Sequence, residues 1–361
     1  MYQELAASLW SGCEAAGSGV AVGRGRLFCG GDGRDALRVL HVSPDVEATS
    51  DAIDFVHRRS AGAEIYFIRN SKPEAVTADV TFRVSGRQPE MFDAVTGEVS
   101  AAMLYDATSD GRTRMPFALA PYESRFVIFR HPAQERHLAL LQRDGEMVRS
   151  SLETTVTQEG GAVVLRTTTP GSYVATFAGG VKSEVEIAPV SAPEVGEHWT
   201  LSFPAGWGAP ARVELGGLRS WTEFEDAGIR YFSGTATYRS TIEVSADQLG
   251  GELLLDLGEV HEVARIRVNG VPLTPLWKQP FSARVDALLH AGENTIEVEV
   301  TNFWPNRLIG DAQPGVSHRY TWTNVKAFTA SSPLSASGLL GPVKVVPVYV
   351  RRISSPGAKA R

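Results

Sequence analysis

The sequence has few cysteines and no excess of basic residues, and each shortage excludes a class of protein. Its 361 residues include two cysteines, Cys13 and Cys29, which cannot supply a four-thiolate metal site and do not suggest a disulfide framework. The 41 acidic residues outnumber the 35 basic ones, so the chain carries a formal net charge of -6. Without a basic excess to neutralise phosphates, nucleic acid is not an expected partner. We expect an uncharged ligand or another protein instead.

Targeting segments and common catalytic motifs are also missing. Glu4 and Glu14 lie where a secretory signal would be cationic, and no long apolar run follows them. We therefore expect neither a signal peptide nor a membrane span, and the compartment stays undetermined. The chain is either cytoplasmic or lacks its natural beginning, as a fragment of a secreted or periplasmic bacterial protein would. Serine-hydrolase elbows, phosphate loops, dinucleotide fingerprints and CxxC pairs are absent from the sequence.

The hydrophobic periodicity predicts a mainly β, multidomain chain with a small α/β piece at its start. A short strand at 25–29 and a helix at 34–42 cannot bury much surface alone, so they predict the tail of a larger α/β domain. From Ile53 onward the apolar residues alternate with period two, which is typical of antiparallel strands. Five segments are predicted. They are an α/β tail at 1–56, a β-sandwich at 57–132, a small β module or linker at 133–193, a jelly roll at 194–352 and a disordered tail at 353–361.

The densest strand pattern lies in the jelly-roll segment. Residues 229–244 contain a Ser-Gly turn followed by ten alternating residues, in which Tyr238 and Ile242 are expected to pack in the core. Asn269 and Gly270 form the preferred two-residue hairpin turn, because both residue types accept positive φ. Strands recurring about every ten residues predict a jelly roll or a related sandwich.

Several motifs in this segment resemble known glycosidases. Residues 238–242, 268–270, 280–281 and 292–296 resemble, in order, the galactose-binding-like jelly roll of β-galactosidase-type enzymes. Further motifs narrow the resemblance to the family 106 α-L-rhamnosidases and their close relatives. They lie at 302–311, 320–323 and 332–343, and the motifs at 53–59, 65–70 and 82–93 resemble the region that follows the barrel of that family.

The resemblance implies an ancillary role. Enzymes of that family place their catalytic carboxylates and a calcium site on an N-terminal (α/β)₈ barrel, and this sequence shows no eightfold strand–helix alternation. No catalytic residue can therefore be transferred to it. The expected partners are a rhamnose-containing glycan or rhamnoside and a catalytic barrel, without which the chain is expected to be inactive. His57, Arg58 and Arg59 either reach towards such a barrel or cap the sheet with charge.

The best candidate carbohydrate-binding residues lie between 302 and 311. Trp304 offers a ring on which a sugar can stack, while Asn306, Arg307 and Asp311 offer partners for its hydroxyls. The alternative is structural, with Arg307 and Asp311 paired to pin a loop and Trp304 in the core. Trp277 is a second candidate platform. Tyr320 and Trp322 alternate as one face of a strand, so core packing is expected for that pair.

Two acidic groups are weaker candidates for chemistry. Glu259 and Glu262 flank a short loop and could act as the acid and base of a glycosidase, or could be ordinary exposed carboxylates. A zincin site at His261 and Glu262 is rejected because Arg265 replaces the second histidine. No metal is expected, although oxygen ligands at 223–226 (Glu223, Glu225 and Asp226) leave calcium open as an alternative. Two other functions remain open, a free-standing carbohydrate-binding protein and a cryptic glycosidase.

Overall fold

The computed structural model describes residues 2–10, 19–30 and 32–354 and confirms a mainly β fold. Every pairing between two named strands in this part of the chain is antiparallel. Three hydrophobic cores organise these strands. None of the described helices is long and apolar enough to cross a membrane. The predicted disordered tail falls mostly outside the described residues.

The described residues of the N-terminal piece form two helices and one hairpin: α1 (Tyr2–Trp10), β1 (Gly19–Val22), β2 (Gly25–Phe28) and α2 (Gly33–Val39). The Asp32 carboxylate caps α2 by accepting hydrogen bonds from the backbone N–H groups of Arg34 and Asp35. The predicted strand and helix are thus present here. Cys29 is buried and disulfide-bonded, a bond that the two-cysteine count did not predict.

The first sandwich packs two sheets around an aromatic core that includes Tyr66, Phe82, Phe117 and Phe129. One sheet has the order β3–β6–β10–β9, and the other has the order β4–β5–β11–β7–β8. The strands are β3 (Val46–Ala48), β4 (Ile53–Ser60), β5 (Ala63–Asn70), β6 (Val76–Phe82), β7 (Arg87–Phe92), β8 (Val99–Ala101), β9 (Asp106–Ala107), β10 (Thr113–Leu119) and β11 (Ser124–Pro132). These sheets take in strands that begin before residue 57.

His57 and Arg59 lie on β4 of this sandwich and pair within it. The imidazole of His57 stacks on Tyr66 at 4.1 Å between ring centroids, and its Nε2 lies 2.8 Å from Oε2 of Glu64. Arg59 donates to the other oxygen of Glu64, and this hydrogen bond lowers the pKa of the Glu64 carboxyl. These contacts match the charge-capping alternative for His57 and Arg59.

The middle module and the C-terminal sandwich share a strand. The middle strands are β12 (Leu138–Arg143), β13 (Glu146–Met147), β14 (Thr154–Glu159), β15 (Ala162–Thr167), β16 (Gly171–Phe177) and β17 (Lys182–Ile187). One sheet has the order β13–β12–β16–β17. The long strand β29 (Lys344–Ile353) pairs with β15 through its last residues and with β22 (Glu252–Asp256) through its first. A single sheet therefore runs from one module into the next, in the order β14–β15–β29–β22–β26, where β26 is Ser282–Arg284.

The C-terminal sandwich encloses the largest core. Its remaining strands and helices are β18 (Glu194–Val195), β19 (Trp199–Ser202), β20 (Arg212–Leu215), α3 (Ala227–Arg230), β21 (Thr235–Val244), β23 (Glu259–His261), β24 (Val263–Val268), β25 (Val271–Pro272), β26 (Ser282–Arg284), β27 (Gly292–Thr301), α4 (Pro305–Asp311) and β28 (Gly338–Gly341). Single 3₁₀ turns occupy Trp221–Glu223, Ala246–Gln248 and Asp286–Leu288. The main sheet has the order β20–β19–β21–β27–β24–β25, β18 adds to β21, and β23 pairs with β28.

Strand β21 is the centre of this sandwich, as its alternating sequence predicts. Its ten residues pair in unbroken register with β27, and Tyr238 and Ile242 are fully buried. The hydroxyl of Tyr238 accepts hydrogen bonds from Nε1 of Trp221, at 2.6 Å, and from the backbone N–H of Leu339, at 3.0 Å. A Cβ on Gly338, which has a φ of +100°, would lie 2.5 Å from both side chains, so only glycine fits there. One tyrosine thus ties the sheet to β28.

Candidate carbohydrate-binding site

A short loop at the end of β27 presents two aromatic side chains at the surface. Pro305 starts α4, and its fixed φ suits the first turn of a helix. The hydroxyl of Ser233 donates to the carbonyl of Phe303 and accepts from the backbone N–H of Arg307, which holds the loop against the opening of β21. Phe303 and Trp304 are 63% and 51% exposed. The loop is therefore anchored while its rings face solvent.

Three aromatic side chains from separate loops form an aromatic rim, which we define as Trp207, Trp304 and Tyr320. The ring centroid of Trp207 lies 6.0 Å from that of Trp304 and 6.1 Å from that of Tyr320, which it stacks on with an interplanar angle of 22°. Gly208 has a φ of +88°, and a Cβ there would lie 2.6 Å from the Tyr320 hydroxyl, so a larger residue would displace the ring. The rim is an apolar, half-exposed surface built on packed loops.

A buried ion pair supports the rim from below. Nε of Arg307 lies 3.0 Å from Oδ1 of Asp311, and both side chains are about 6% exposed. The other carboxylate oxygen of Asp311 accepts hydrogen bonds from the backbone N–H groups of Tyr320 and Thr321 and from the Thr321 hydroxyl. The guanidinium of Arg307 also lies 4.7 Å from the centre of the Tyr320 ring. This pair therefore holds the loop that carries Tyr320.

The predicted sugar-contact residues separate into exposed and buried groups. Asn306 is buried, and its amide donates to the carbonyl of Ser335 and the hydroxyl of Ser337 while its oxygen accepts from the N–H of Ser335. Together with Arg307 and Asp311 it contacts the protein rather than solvent. These contacts fit the loop-pinning alternative, whereas the exposure of Trp304 does not fit its core-packing alternative. Direct sugar contact by these residues stays a prediction.

Trp277 and Trp322 lie outside the rim. Trp277 is 60% exposed and makes no ring contact with the rim residues. The prediction that Tyr320 and Trp322 pack in the core is wrong for Trp322, which is 87% exposed. No strand forms between α4 and β28, because the hydrogen bonds to Asp311 hold residues 320 and 321 in a loop. The aromatic residues at 320 and 322 alternate as they would in a strand. The preceding Pro314 and Gly315 are typical of a loop and could have indicated one here.

The two weak catalytic candidates are joined by a histidine. Nε2 of His261 lies 2.8 Å from Oε1 of Glu259, and its Nδ1 lies 3.5 Å from Oε1 of Glu262. The imidazole therefore fills the space between the two carboxylates, where a glycosidase would place the scissile bond. The predicted loop is wrong for Glu259, which lies on β23, but both carboxylates are partly exposed, as ordinary acidic residues are.

The acidic residues at 223–226, which left calcium open as an alternative, do not form a set of calcium ligands. Asp226 accepts a hydrogen bond from the backbone N–H of Ile229 and caps α3, and Glu223 and Glu225 are exposed. Within residues 2–10, 19–30 and 32–354, no group of three or more His, Cys, Asp or Glu side chains is placed to hold a metal ion.

Comparison with known proteins finds similarity to glycoside hydrolases. The family model for the α-L-rhamnosidases of glycoside hydrolase family 106 matches residues 1–107. The structure of a rhamnosidase from Novosphingobium sp. PP1Y is similar over 96% of this chain, with a TM-score of 0.70 and 32% sequence identity. A protein of Formosa agariphila named "Putative beta-glucuronidase" is 39% identical over 172 residues, or 41% of this chain.

The chain spans only part of these relatives. It covers 28% of the Novosphingobium rhamnosidase and 15% of the Formosa protein. The matches to the family model and to the rhamnosidase structure agree with the resemblance carried by the sequence motifs. Together they support a relationship between this chain and the α-L-rhamnosidases of glycoside hydrolase family 106.

Proposed function

We propose that this chain is an ancillary carbohydrate-binding region of an α-L-rhamnosidase-like glycoside hydrolase that acts on rhamnose-containing glycans. The aromatic rim is the observation that carries the proposal. In this view a catalytic barrel domain outside the chain performs the hydrolysis, and the rim holds the glycan. The similarity to a rhamnosidase structure over 96% of the chain supports the class of enzyme.

The rim has the physical properties that sugar recognition needs. The C–H face of a sugar ring is apolar, and it loses water favourably when it stacks on an exposed indole. Trp304 is half-exposed, and its neighbour Trp207 is partly buried against the core. Because a buried ion pair fixes the loop of Tyr320, little conformational entropy is lost when a ligand binds.

The carboxylates of the C-terminal sandwich support the non-catalytic part of the proposal. Acid and base groups on opposite sides of a glycosidic bond need room for the bond and, in inverting enzymes, for a water molecule. His261 occupies that room between Glu259 and Glu262. These two residues are better explained as partly exposed carboxylates at the start of β23 and just after its end.

The direct test of the rim is Trp304→Ala. We expect binding of an α-L-rhamnosyl oligosaccharide to weaken about tenfold, because losing one stacking ring costs on the order of 1 kcal/mol. Isothermal titration calorimetry measures this change. The matched control is Trp10→Ala on α1, which removes an indole that is 54% exposed but lies outside the rim. Equal affinity of the wild type and Trp304→Ala would contradict binding at the rim.

A further inference from the structure

A cleft that shares no residue with the rim lies at the junction of the three β-modules. It has a volume of about 220 Å³. The first sandwich lines it with strands β5, β7, β8 and β11 and with residues 93–95, which follow β7. The middle module contributes residues 150–152 and 155–157, and the C-terminal sandwich contributes Lys278. We call it the junction cleft. Its volume suits one sugar-sized ring rather than a longer chain.

The floor of the junction cleft is aromatic. Phe126 pairs in register with Phe67 on one side and Phe92 on the other, so the three side chains share the outer face of their sheet. The ring centroid of Phe126 lies 5.0 Å from that of Phe67 and 5.8 Å from that of Phe92. All three are half-buried, and they line the cleft. An apolar ring face can therefore rest on this floor.

Two cationic side chains of the cleft carry nitrogens without a partner. Arg125 is 8% exposed, and its Nε donates to Glu123 at 2.6 Å, but its buried Nη2 has no hydrogen-bond partner. Lys278 forms no hydrogen bond or ion pair with any residue in the described part of the chain. A buried guanidinium nitrogen without a partner is costly unless a ligand or water satisfies it.

Three of the four oxygens of the Asp93 and Glu123 carboxylates accept hydrogen bonds. Oδ1 of Asp93 accepts hydrogen bonds from the backbone N–H groups of Val95 and Thr96. The two oxygens of Glu123 accept from Arg125 and from the N–H of Ala120. The side chains of Ser150, Ser151 and Thr157 also line the cleft, and hydroxyls can donate to or accept from those of a sugar. An anionic group in the cleft can satisfy both Nη2 of Arg125 and the ammonium group of Lys278.

We propose that the junction cleft binds one acidic sugar unit, a uronate residue of a glycan. Its ring lies over the phenylalanine floor, its carboxylate pairs with Lys278 and Arg125, and its hydroxyls bond with the serine and threonine side chains. This site goes beyond the proposed function, because none of its residues belongs to the rim and binding does not depend on rhamnose.

The test is a calorimetric titration of the full chain with sodium D-glucuronate and D-galacturonate. D-glucose and sodium benzoate serve as matched probes that lack the carboxylate and the sugar hydroxyls, respectively. We expect at least one uronate to bind, and to bind at least tenfold more tightly than glucose or benzoate. Binding of glucose or benzoate as tight as that of both uronates, or no uronate binding, would overturn the proposal.

Variants locate the binding. Lys278→Ala is expected to weaken uronate binding about tenfold, Lys278→Arg to retain it, and Lys72→Ala, which changes an exposed lysine elsewhere, to leave it unaltered. Trp304→Ala should not affect it, which separates failure at this site from failure at the rim. Uronate binding that survives Lys278→Ala unchanged would overturn the assignment to the junction cleft.

Discussion

Replacing Tyr238 by phenylalanine is expected to lower the free energy of unfolding by about 3 kcal/mol. The Tyr238 hydroxyl is the acceptor for Nε1 of Trp221 and the backbone N–H of Leu339, and all three groups lie in the core. Phenylalanine keeps the packing of the ring but leaves both buried donors without a partner. Each unsatisfied donor costs on the order of 1–3 kcal/mol. Urea denaturation of the purified chain measures the loss.

Tyr122→Phe is the matched control for this prediction. Tyr122 is 65% exposed, so the same chemical change should alter stability by less than about 0.5 kcal/mol. If Tyr238→Phe is as stable as this control, the tyrosine does not tie the main sheet to β28. Burial also raises the pKa of the Tyr238 hydroxyl above its ordinary value.

Asp311→Asn is expected to cost about 3–5 kcal/mol of stability, because it leaves the Arg307 guanidinium buried without a counter-ion. We also expect glycan binding at the rim to weaken, since the Asp311 carboxylate holds the loop that carries Tyr320. Denaturation measures the first effect, and titration with the α-L-rhamnosyl oligosaccharide measures the second.

The control is Asp54→Asn, which breaks an exposed ion pair. Nη2 of Arg69 lies 2.9 Å from Oδ2 of Asp54, but both side chains are more than half exposed. Such pairs contribute less than about 1 kcal/mol. Equal stability losses in Asp311→Asn and Asp54→Asn would show that the buried pair does not support the rim.

The sequence predicts strands best where burial alternates along the chain. In β21 each second residue from Ala236 to Val244 is buried, and the strand was expected from that alternation. The same reasoning failed at Trp322, since alternation alone does not show whether a neighbouring strand is present to pair with it. There the hydrogen bonds to Asp311 decide the structure, and they join residues nine and ten positions apart.

The candidate site was only partly accessible to sequence reasoning. Trp304 was identified from composition, but its neighbour Trp207 was not, because the two lie almost 100 residues apart and meet only after folding. Asn306, Arg307 and Asp311 have the residue types that bind sugars, and the same types also build buried networks. Burial separates these two roles, and it depends on the packing of distant loops.

The junction cleft has no local sequence signal. Its phenylalanines come from three strands, and Lys278 approaches from another module. Each phenylalanine looks like an ordinary strand residue when it is taken alone. Only the strand register places the three rings side by side.

The account rests most directly on the claim that this chain holds glycan without cleaving it. The release of 4-nitrophenol from 4-nitrophenyl α-L-rhamnoside by the purified 361-residue chain tests that claim. We predict a rate equal to that of the protein-free blank. Hydrolysis above the blank that falls in Glu259→Gln or Glu262→Gln would contradict the account and assign catalysis to the carboxylates of the C-terminal sandwich.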